Sequence, residues 1–260
     1  MYKQVLSVAI GGLLVFWTCT SSDKDQDTAT WHEEESSFIM ENTDVVLKMS
    51  KRGGAYVDFH LKKNPVNPFT WKATLDQMPE NNKPFVFAGH FLCTGRWGAP
   101  SPGEMAHGVP HNGEVNTQLW KMNADADTVA GFISATYVVE APIEQLDVKR
   151  QVLVPAAGSY FIVRETFTNN LPVARVSNIV QHGTIAAPLL YEGTVINTNA
   201  TLGFDQRTGF AHLEDSSYVW PEAVLADGRR VDLRYVDGDR RFVSTHIFAP
   251  EEEYGWITAA

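Results

Sequence analysis

The side chains most able to do chemistry are concentrated between Gly89 and Trp120, in the stretch GHFLCTGRWGAPSPGEMAHGVPHNGEVNTQLW. The titratable and nucleophilic groups in it are His90, Cys93, Arg96, Glu104, His107, His111 and Glu114. Imidazole, guanidinium and carboxylate groups together can donate and accept the hydrogen bonds that a small polar ligand needs. Gly and Pro recur too often for a helix or a long strand, so the stretch is predicted to be a long ordered loop between strands. Loops of this length in compact domains are usually functional or disordered, and the apolar side chains of this one favour order.

Metal and cofactor chemistry have little support in this loop. His107 and His111 are four residues apart, a spacing that suits a metal on a helix, but Gly108 and Pro110 oppose a helix and no third ligand follows at a suitable spacing. Cys93 has no activating base nearby in the sequence and is expected to be a small buried apolar residue. No glycine-rich phosphate loop follows a strand into a helix. The sequence therefore predicts neither a metal nor a cofactor.

The elements that must hold this loop are short strands. Ala55–Leu61 alternates apolar and polar residues with a period of two, which is typical of a half-buried strand. Further β-rich runs are residues 38–40, 44–49, 128–140, 146–154, 159–168, 174–180, 217–220, 231–236 and 242–248, with turns at Asp227-Gly228 and Asp237-Gly238. No window of 12 or more residues has a convincing helical period. Many short strands predict an all-β domain of the sandwich or barrel type, spanning residues 38–260.

The N-terminus predicts export. Val5–Trp17 is an apolar run too short to span a bilayer, and it ends just before Cys19. The run VFWTC resembles a bacterial lipoprotein signal with a loose lipobox, and SSDKDQD resembles the acidic segment that follows the lipidated cysteine of Bacteroidetes surface lipoproteins. We expect a signal peptide at residues 1–18, a lipidated flexible tether at 19–37, and a lipid-anchored protein of the outer membrane or periplasm. A plain secretory signal with an incidental cysteine is the alternative.

Charge excludes one class of partner. The net charge is −10 and the basic residues are scattered in pairs, whereas a nucleic-acid surface needs clustered Lys and Arg. We therefore expect no nucleic-acid partner, and a membrane contact only through the N-terminal lipid.

Four segments together resemble the galactose mutarotase-like superfamily, which contains the aldose 1-epimerases. They are RGGAYVDFHLKKNPVNPFTW, GRWG at residues 95–98, GVPHNGEVNTQLW, and RETFTNNLPVARVSNIVQHGTIAAPLL. The resemblance covers roughly residues 45–250 and rests on the order and spacing of these segments. It implies a large antiparallel β-supersandwich with an open groove for a pyranose, and a histidine acid and a carboxylate base that open and reclose the sugar ring.

The resemblance carries some roles to residues of this chain. His182 falls on the family's histidine in the fourth segment, and Arg96 on a sugar-contacting arginine. In the third segment the family's histidine directly precedes Gly, whereas here Asn112 does, with His111 one residue earlier. The family's base is a glutamate near its C-terminus, beyond Ala260, so we expect the chain to lack C-terminal strands of its relatives.

The candidate site therefore has two sets of residues. The catalytic candidates are His182 and His111. The substrate-binding candidates are Arg96, Trp97, Asn112, Glu114 and Trp120. Other roles stay open: His182 could be a core histidine bonded to backbone, Glu114 a solvated loop carboxylate, and the tryptophans core residues. Arg96, His111 and His182 are predicted to lie in one cleft.

Two functions of different classes follow. The first is a carbohydrate-binding, aldose 1-epimerase-like protein that interconverts anomers of a pyranose by acid–base catalysis. The second is a non-catalytic surface glycan-binding lipoprotein that has kept the groove and lost the chemistry. A carboxylate within hydrogen-bond reach of the C1 hydroxyl of a bound sugar would distinguish the first from the second.

Overall fold

Alternating burial along the strands produces two facing sheets. In the strand Leu146–Pro155 the side chains of Leu146, Val148, Val152 and Val154 are buried, and most of the residues between them are not. The computed structural model describes residues 29–95, 98–198, 202–205, 209–212, 214, 217–220, 222–232, 234–237, 240–243 and 257–259. Cys19, Arg96, Trp97 and residues 244–248 of an expected strand lie outside that part of the chain.

Nineteen strands are present in the described residues. In chain order they are β1 Thr30–Glu33, β2 Ser37–Glu41, β3 Val45–Ser50, β4 Tyr56–Leu61, β5 Phe91–Cys93, β6 Lys121–Val129, β7 Phe132–Ala141, β8 Leu146–Pro155, β9 Ile162–Asn169, β10 Val180–His182, β11 Val195–Thr198, β12 Leu202–Asp205, β13 Gly209–His212, β14 Ser217–Val219, β15 Glu222–Val224, β16 Arg230–Asp232, β17 Arg234–Asp237, β18 Arg240–Val243 and β19 Ile257–Ala259. One short α-helix, α1, spans Pro102–Ala106, and two 3₁₀ turns span Leu75–Gln77 and Glu80–Asn82.

The core lies between two four-stranded antiparallel sheets with strand orders β1-β2-β3-β4 and β6-β7-β8-β9. Their inward side chains form a single hydrophobic cluster, in which Phe38 of the first sheet contacts Tyr137 of the second with ring centroids 4.6 Å apart. This is the antiparallel all-β sandwich that the strand pattern predicts, and the fold class is confirmed. The turn expected at Asp227-Gly228 is also present, between the paired strands β15 and β16. The hairpin expected at Asp237-Gly238 is flanked by the paired strands β17 and β18, although Gly238 itself lies outside the described residues. The larger supersandwich implied by the resemblance stays a prediction.

Three local expectations were wrong, each for a tertiary reason. Residues 30–33, expected in the flexible tether, form β1, because their backbone pairs with β2 and Trp31 packs against the core. The expected strand 174–180 is irregular up to Val180, where pairing with β5 begins. The strand expected at 128–140 is interrupted at Ala130 and Gly131, both with positive φ, which turn the chain from β6 into β7.

The central loop is ordered, as expected, but it is not all loop. Phe91–Cys93 forms β5, which pairs with β10, and residues 102–106 form α1. The helix begins at a capping box: Ser101 Oγ accepts from Glu104 N, and Glu104 Oε2 accepts from Ser101 N at 2.7 Å. Within the described residues, no helix is long and apolar enough to cross a bilayer.

Candidate functional site

Five rings form an aromatic row that joins the central loop to β10. In order they are Trp71, His182, Phe91, Phe87 and His111. His182 stacks on Phe91 with centroids 4.4 Å apart and ring planes 13° apart, and Phe91 stacks on Phe87 at 5.0 Å and 4°. The two ends are looser, with Trp71 6.4 Å from His182 and His111 6.2 Å from Phe87. Trp71, His182 and His111 are half-buried, so the row is partly open to solvent.

β10 holds His182 in this row by pairing with β5, which places His182 opposite Phe91. The imidazole Nδ1 lies 3.1 Å from Thr184 Oγ1. Burial lowers the pKa of His182 from 6.5 to about 4, because a charged imidazolium loses hydration between two aromatic rings. His182 is therefore a neutral imidazole at pH 7, able to donate one hydrogen bond and accept another.

A second histidine lies beside this row at the end of a hydrogen-bonded series. His90 Nε2 lies 3.2 Å from Gln181 Oε1, Gln181 Nε2 donates to Glu165 Oε2 at 2.5 Å, and Arg150 Nε donates to Glu165 Oε1 at 2.7 Å. We call Arg150, Glu165, Gln181 and His90 the Arg150 network. Burial lowers the pKa of His90 below its ordinary value, against the opposing effect of the Gln181 hydrogen bond. The network runs from the centre of the sandwich to an exposed residue, Gln181.

Arg150 is a fully buried cation, with a relative exposure of 0%. Its guanidinium lies 4.3 Å from the Trp120 ring and 5.1 Å from the Tyr56 ring, and it donates to the carbonyl oxygen of Gly54. The Trp120 indole packs so closely on Gly54 that a Cβ there would meet it at 2.5 Å, at a φ of +62°. The aromatic faces and Glu165 together compensate the buried charge.

Glu114 and Asn112 are enclosed by their own loop. Glu114 is 1% exposed, and its Oε2 accepts from the backbone N–H groups of Ile143 and Glu144 at 2.8 and 3.0 Å. Glu144 Oε2 accepts in return from Glu114 N at 2.6 Å, and we call these two residues the glutamate pair. Asn112 Oδ1 accepts from Gly98 N at 2.7 Å. The solvated carboxylate that was one alternative for Glu114 is thus wrong, and both side chains are used in ordering the loop.

Trp120 is a core residue and does not line an opening. It is 1% exposed and belongs to the hydrophobic cluster between the sheets. The structure therefore places it under Arg150 and Gly54, and Trp71 is the tryptophan that lies beside His182.

Of the three residues predicted to share one cleft, the structure relates two. His111 and His182 lie on the same aromatic row, separated by Phe91 and Phe87, so they do not face a single atom of one small ligand. Burial lowers the pKa of His111, which is held through its backbone by Asn82. Arg96 and Trp97 lie outside the described residues. Among the described residues, His, Cys, Asp and Glu do not gather in threes that could hold a metal ion.

Arg150, Glu165 and Gln181 are not among the residues predicted from the sequence, although a signal for two of them was present. Arg150 stands at an inward position of β8, between Val148 and Val152. Glu165 is its direct partner on β9. A charged residue at an inward position of an alternating strand must find a partner inside the protein, so the pair could have been inferred from the two strand patterns. Nothing in the sequence indicates the Gln181 contact, which spans 16 residues.

The arrangement offers two kinds of contact. Trp71, at the half-buried end of the row, offers an apolar ring, and His90, Gln181 and Thr184 offer polar atoms beside His182. Cys93 is buried with 0% exposure, and burial raises the pKa of its thiol, so it presents no nucleophile.

Comparison with known proteins gives little further identification. No protein-family model matches the chain, and no curated protein matches it. Among solved structures, the crystal structure of HI1317 is similar with a TM-score of 0.45 and 10% sequence identity, over 76% of this chain and 71% of that one. At this level the similarity carries no argument about activity or ligand.

Proposed function

We propose that the protein binds a carbohydrate, with a pyranose ring seated against the Trp71–His182 end of the aromatic row. The observation that carries the proposal is the meeting of half-buried aromatic faces with uncharged hydrogen-bonding groups at β10. The C–H face of a pyranose packs on aromatic rings, and its hydroxyls need partners that both donate and accept.

The electrostatics of the site favour a neutral ligand. The pKa values of His182 and His90 are both lowered, so neither imidazole attracts an anion at pH 7. Arg150, which is linked to His90 through Glu165 and Gln181, is fully buried and already paired with Glu165. Groups that are polar but uncharged suit hydroxyls better than phosphates or carboxylates.

Interconversion of the anomers of the bound pyranose is the second candidate. The observation that favours it is the combination of the two imidazoles with the Glu165 carboxylate, which is connected to His90 through Gln181. Acid–base catalysis works best with a pKa near the working pH. With a pKa of about 4, His182 is almost entirely unprotonated at pH 7, so it rarely carries the proton that a general acid must donate. For this reason we place binding before catalysis.

The same proposal includes an envelope location. The apolar run Val5–Trp17 followed by Cys19 supports export and lipid anchoring. Replacement C19S should move the protein from the membrane fraction to the soluble fraction of its host. Unchanged partitioning would contradict the anchor and leave the binding proposal intact.

Calorimetry with glucose, galactose, mannose and xylose tests the binding proposal. Trp71→Ala should weaken binding of the preferred pyranose about tenfold or more, since loss of an aromatic platform removes about 1.4 kcal/mol or more. Trp31→Ala, at a half-buried tryptophan on the outer strand β1, is the matched control and should leave affinity unchanged. Equal effects of the two variants, or no binding to any of the four sugars, would contradict the proposal.

Polarimetry on freshly dissolved α-anomers separates the two candidates. A binder leaves the rate of anomer exchange at the buffer value even when calorimetry shows saturation. Acceleration that is lost in His182→Asn would establish the enzyme.

A further inference from the structure

We infer that Arg150, Glu165 and Gln181 are positioning residues that fix His90 in the Nε2–H tautomer, which leaves Nδ1 as a hydrogen-bond acceptor at the edge next to Gly183. The inference concerns His90, which stands at the solvent end of the Arg150 network. It rests on the direction of three hydrogen bonds, each of which is determined by the one before it.

The first direction is determined by Arg150. A guanidinium has only donors and keeps its charge in proteins, so the 2.7 Å contact from Nε requires an acceptor at Glu165 Oε1. Glu165 is 8% exposed and forms an ion pair with that buried cation. Glu165 therefore accepts at both oxygens, including the Oε2 that faces Gln181.

The second and third directions follow from the amide of Gln181. Its two ends differ, since one donates two hydrogens and the other accepts. Glu165 Oε2 can only accept, so the nitrogen of Gln181 must face it, at 2.5 Å. The oxygen then faces His90 Nε2 at 3.2 Å, and this nitrogen must carry the proton. In a neutral imidazole the other nitrogen, Nδ1, is then an acceptor.

Gly183 keeps the acceptor edge of His90 uncovered. A Cβ at position 183 would lie 3.5 Å from His90 Nδ1 and 3.6 Å from Cε1, which is ordinary van der Waals contact. Gly183 is exposed and His90 is half-buried. Within the described residues His90 Nδ1 has no hydrogen-bond partner. If the proposed function holds, this atom accepts a hydrogen bond from a sugar hydroxyl.

An isosteric substitution at Glu165 should reverse the whole series. In Glu165→Gln the single oxygen of the new amide must still face Arg150 Nε, so its nitrogen faces Gln181. Gln181 must then turn its oxygen to residue 165 and its nitrogen to His90. His90 Nε2 becomes the acceptor and the proton moves to Nδ1. A substitution that only loosened the structure would mix the tautomers and would not invert them.

Two-bond ¹H–¹⁵N correlation spectra of the full chain at pH 8 read the tautomer directly. The wild type should show His90 as Nε2–H, Glu165→Gln should show Nδ1–H, and Gln181→Leu should show a mixture. Loss of one set of signals in His90→Gln assigns them. A wild-type Nδ1–H form would overturn the inference, and so would an unchanged tautomer in a folded Glu165→Gln protein.

Gly183→Ala tests the use of the acceptor edge in binding. It should lower affinity for the pyranose that calorimetry selects by about threefold to tenfold, the value of one lost hydrogen bond. Gly103→Ala, in α1 with open space around it, is the matched control and should change nothing. If none of the four sugars binds the wild type, the proposed function fails, while the spectra still decide the tautomer. Full affinity in Gly183→Ala would remove Nδ1 from the binding site.

Discussion

Two buried glutamates lie in opposite electrostatic surroundings in this protein. Glu114 of the glutamate pair is held by the backbone N–H groups of Ile143 and Glu144, and burial together with the nearby charge of Glu144 raises its pKa against the effect of those hydrogen bonds. Glu165 of the Arg150 network is held by a fully buried guanidinium. The carboxylate of Glu114 is thus satisfied mainly by backbone N–H groups, and that of Glu165 by a buried cation.

The difference explains what each glutamate can control. Backbone donors occupy Oε2 of Glu114, and its Oε1 accepts from Gln118 Nε2 at 3.0 Å, so the glutamate pair orders the central loop around itself. At Glu165 the buried cation occupies one carboxylate oxygen, and the other orients a side chain that leads out of the core. In the Arg150 network that side chain is Gln181, and through it the orientation reaches His90.

The largest expected effect is on the Arg150 network. Arg150→Met should lower the free energy of unfolding by about 3–5 kcal/mol, because it leaves the Glu165 carboxylate buried without its cation. Urea unfolding measures the change. The double variant R150M/E165L should recover most of the loss, since apolar residues of similar size replace buried pairs at little cost.

Lys149→Met, at an exposed position of the same strand, is the control and should change stability by less than about 0.5 kcal/mol. A double variant as unstable as Arg150→Met would show that the loss comes from packing against Trp120 and not from the unpaired charge.

The second largest loss of stability should come from removing a member of the glutamate pair. Glu114→Ala leaves two backbone N–H groups without an acceptor and should cost about 2–3 kcal/mol in urea unfolding. Glu80→Ala removes an exposed carboxylate paired with Lys83 and should cost almost nothing. Because the glutamate pair stands apart from the Arg150 network, Glu114→Ala should leave the tautomer of His90 unchanged. A shifted tautomer would mean that the two regions are coupled.

A smaller effect is expected from acid. The pKa of His182 in the folded protein, about 4, lies below its ordinary 6.5, so the folded state binds the proton more weakly than the unfolded state. This contribution to stability is complete above pH 6.5 and is lost as the pH falls from 6.5 to 4. Between pH 7 and pH 4, the free energy of unfolding of His182→Phe should therefore fall by about 2 kcal/mol less than that of the wild type, after allowance for the partial exposure of His182.

Unfolding curves at pH 7 and pH 4 measure this difference between wild type and variant. His90 has a lowered pKa as well, so the variant should still lose some stability at low pH through His90. His32→Phe, at an exposed histidine of β1, is the matched control for replacing a histidine by phenylalanine. If the stability of His182→Phe fell between pH 7 and pH 4 by as much as that of the wild type, the burial of this imidazole would be contradicted.

The smallest expected effect is the pH dependence of stability that Glu114 causes, and its sign is opposite to that of His182. The pKa of Glu114 is raised, so the folded state binds its proton more tightly, and this contribution to stability is present below the ordinary pKa and lost as the pH rises through the raised value. The stability of wild type relative to Glu114→Gln should therefore be greater at pH 4 than at pH 7. A relative stability that grows with pH would show that backbone hydrogen bonds outweigh burial.

The prediction of the strands from sequence succeeded where burial alternates along a single segment. Residues 146–154 were expected as a strand and form β8, because this strand has a buried and an open face. Residues 55–61 were also expected as a strand, and residues 56–61 form β4. The prediction failed at residues 30–33, which are mostly polar. These residues form a strand because they pair with the edge of β2, and their own sequence pattern does not indicate that pairing.

For the candidate site, the structure brings the predicted loop and strand end close together, but it encloses some of the side chains that the sequence placed in an open groove. His182 and His111 do share an aromatic row, whereas Glu114 and Trp120 are enclosed. A glutamate or a tryptophan in a Gly- and Pro-rich loop has the same local sequence whether it faces solvent or the core. The partners that decide between these, Ile143 for Glu114 and Gly54 for Trp120, are far away in the chain.

The sequence by itself determined the all-β class, the turns and the inward faces of the strands, since these follow from local conformational preference and a period of two. Only the tertiary structure decided that Arg150 reaches Glu165, that Glu165 reaches Gln181, and that His90 lies at the end of the series. Hydrogen bonds of this kind depend on distances and donor directions between strands that the chain brings together from 15 to 91 residues apart. Local sequence does not encode those distances, because they are set by how two sheets pack and where β10 pairs with β5.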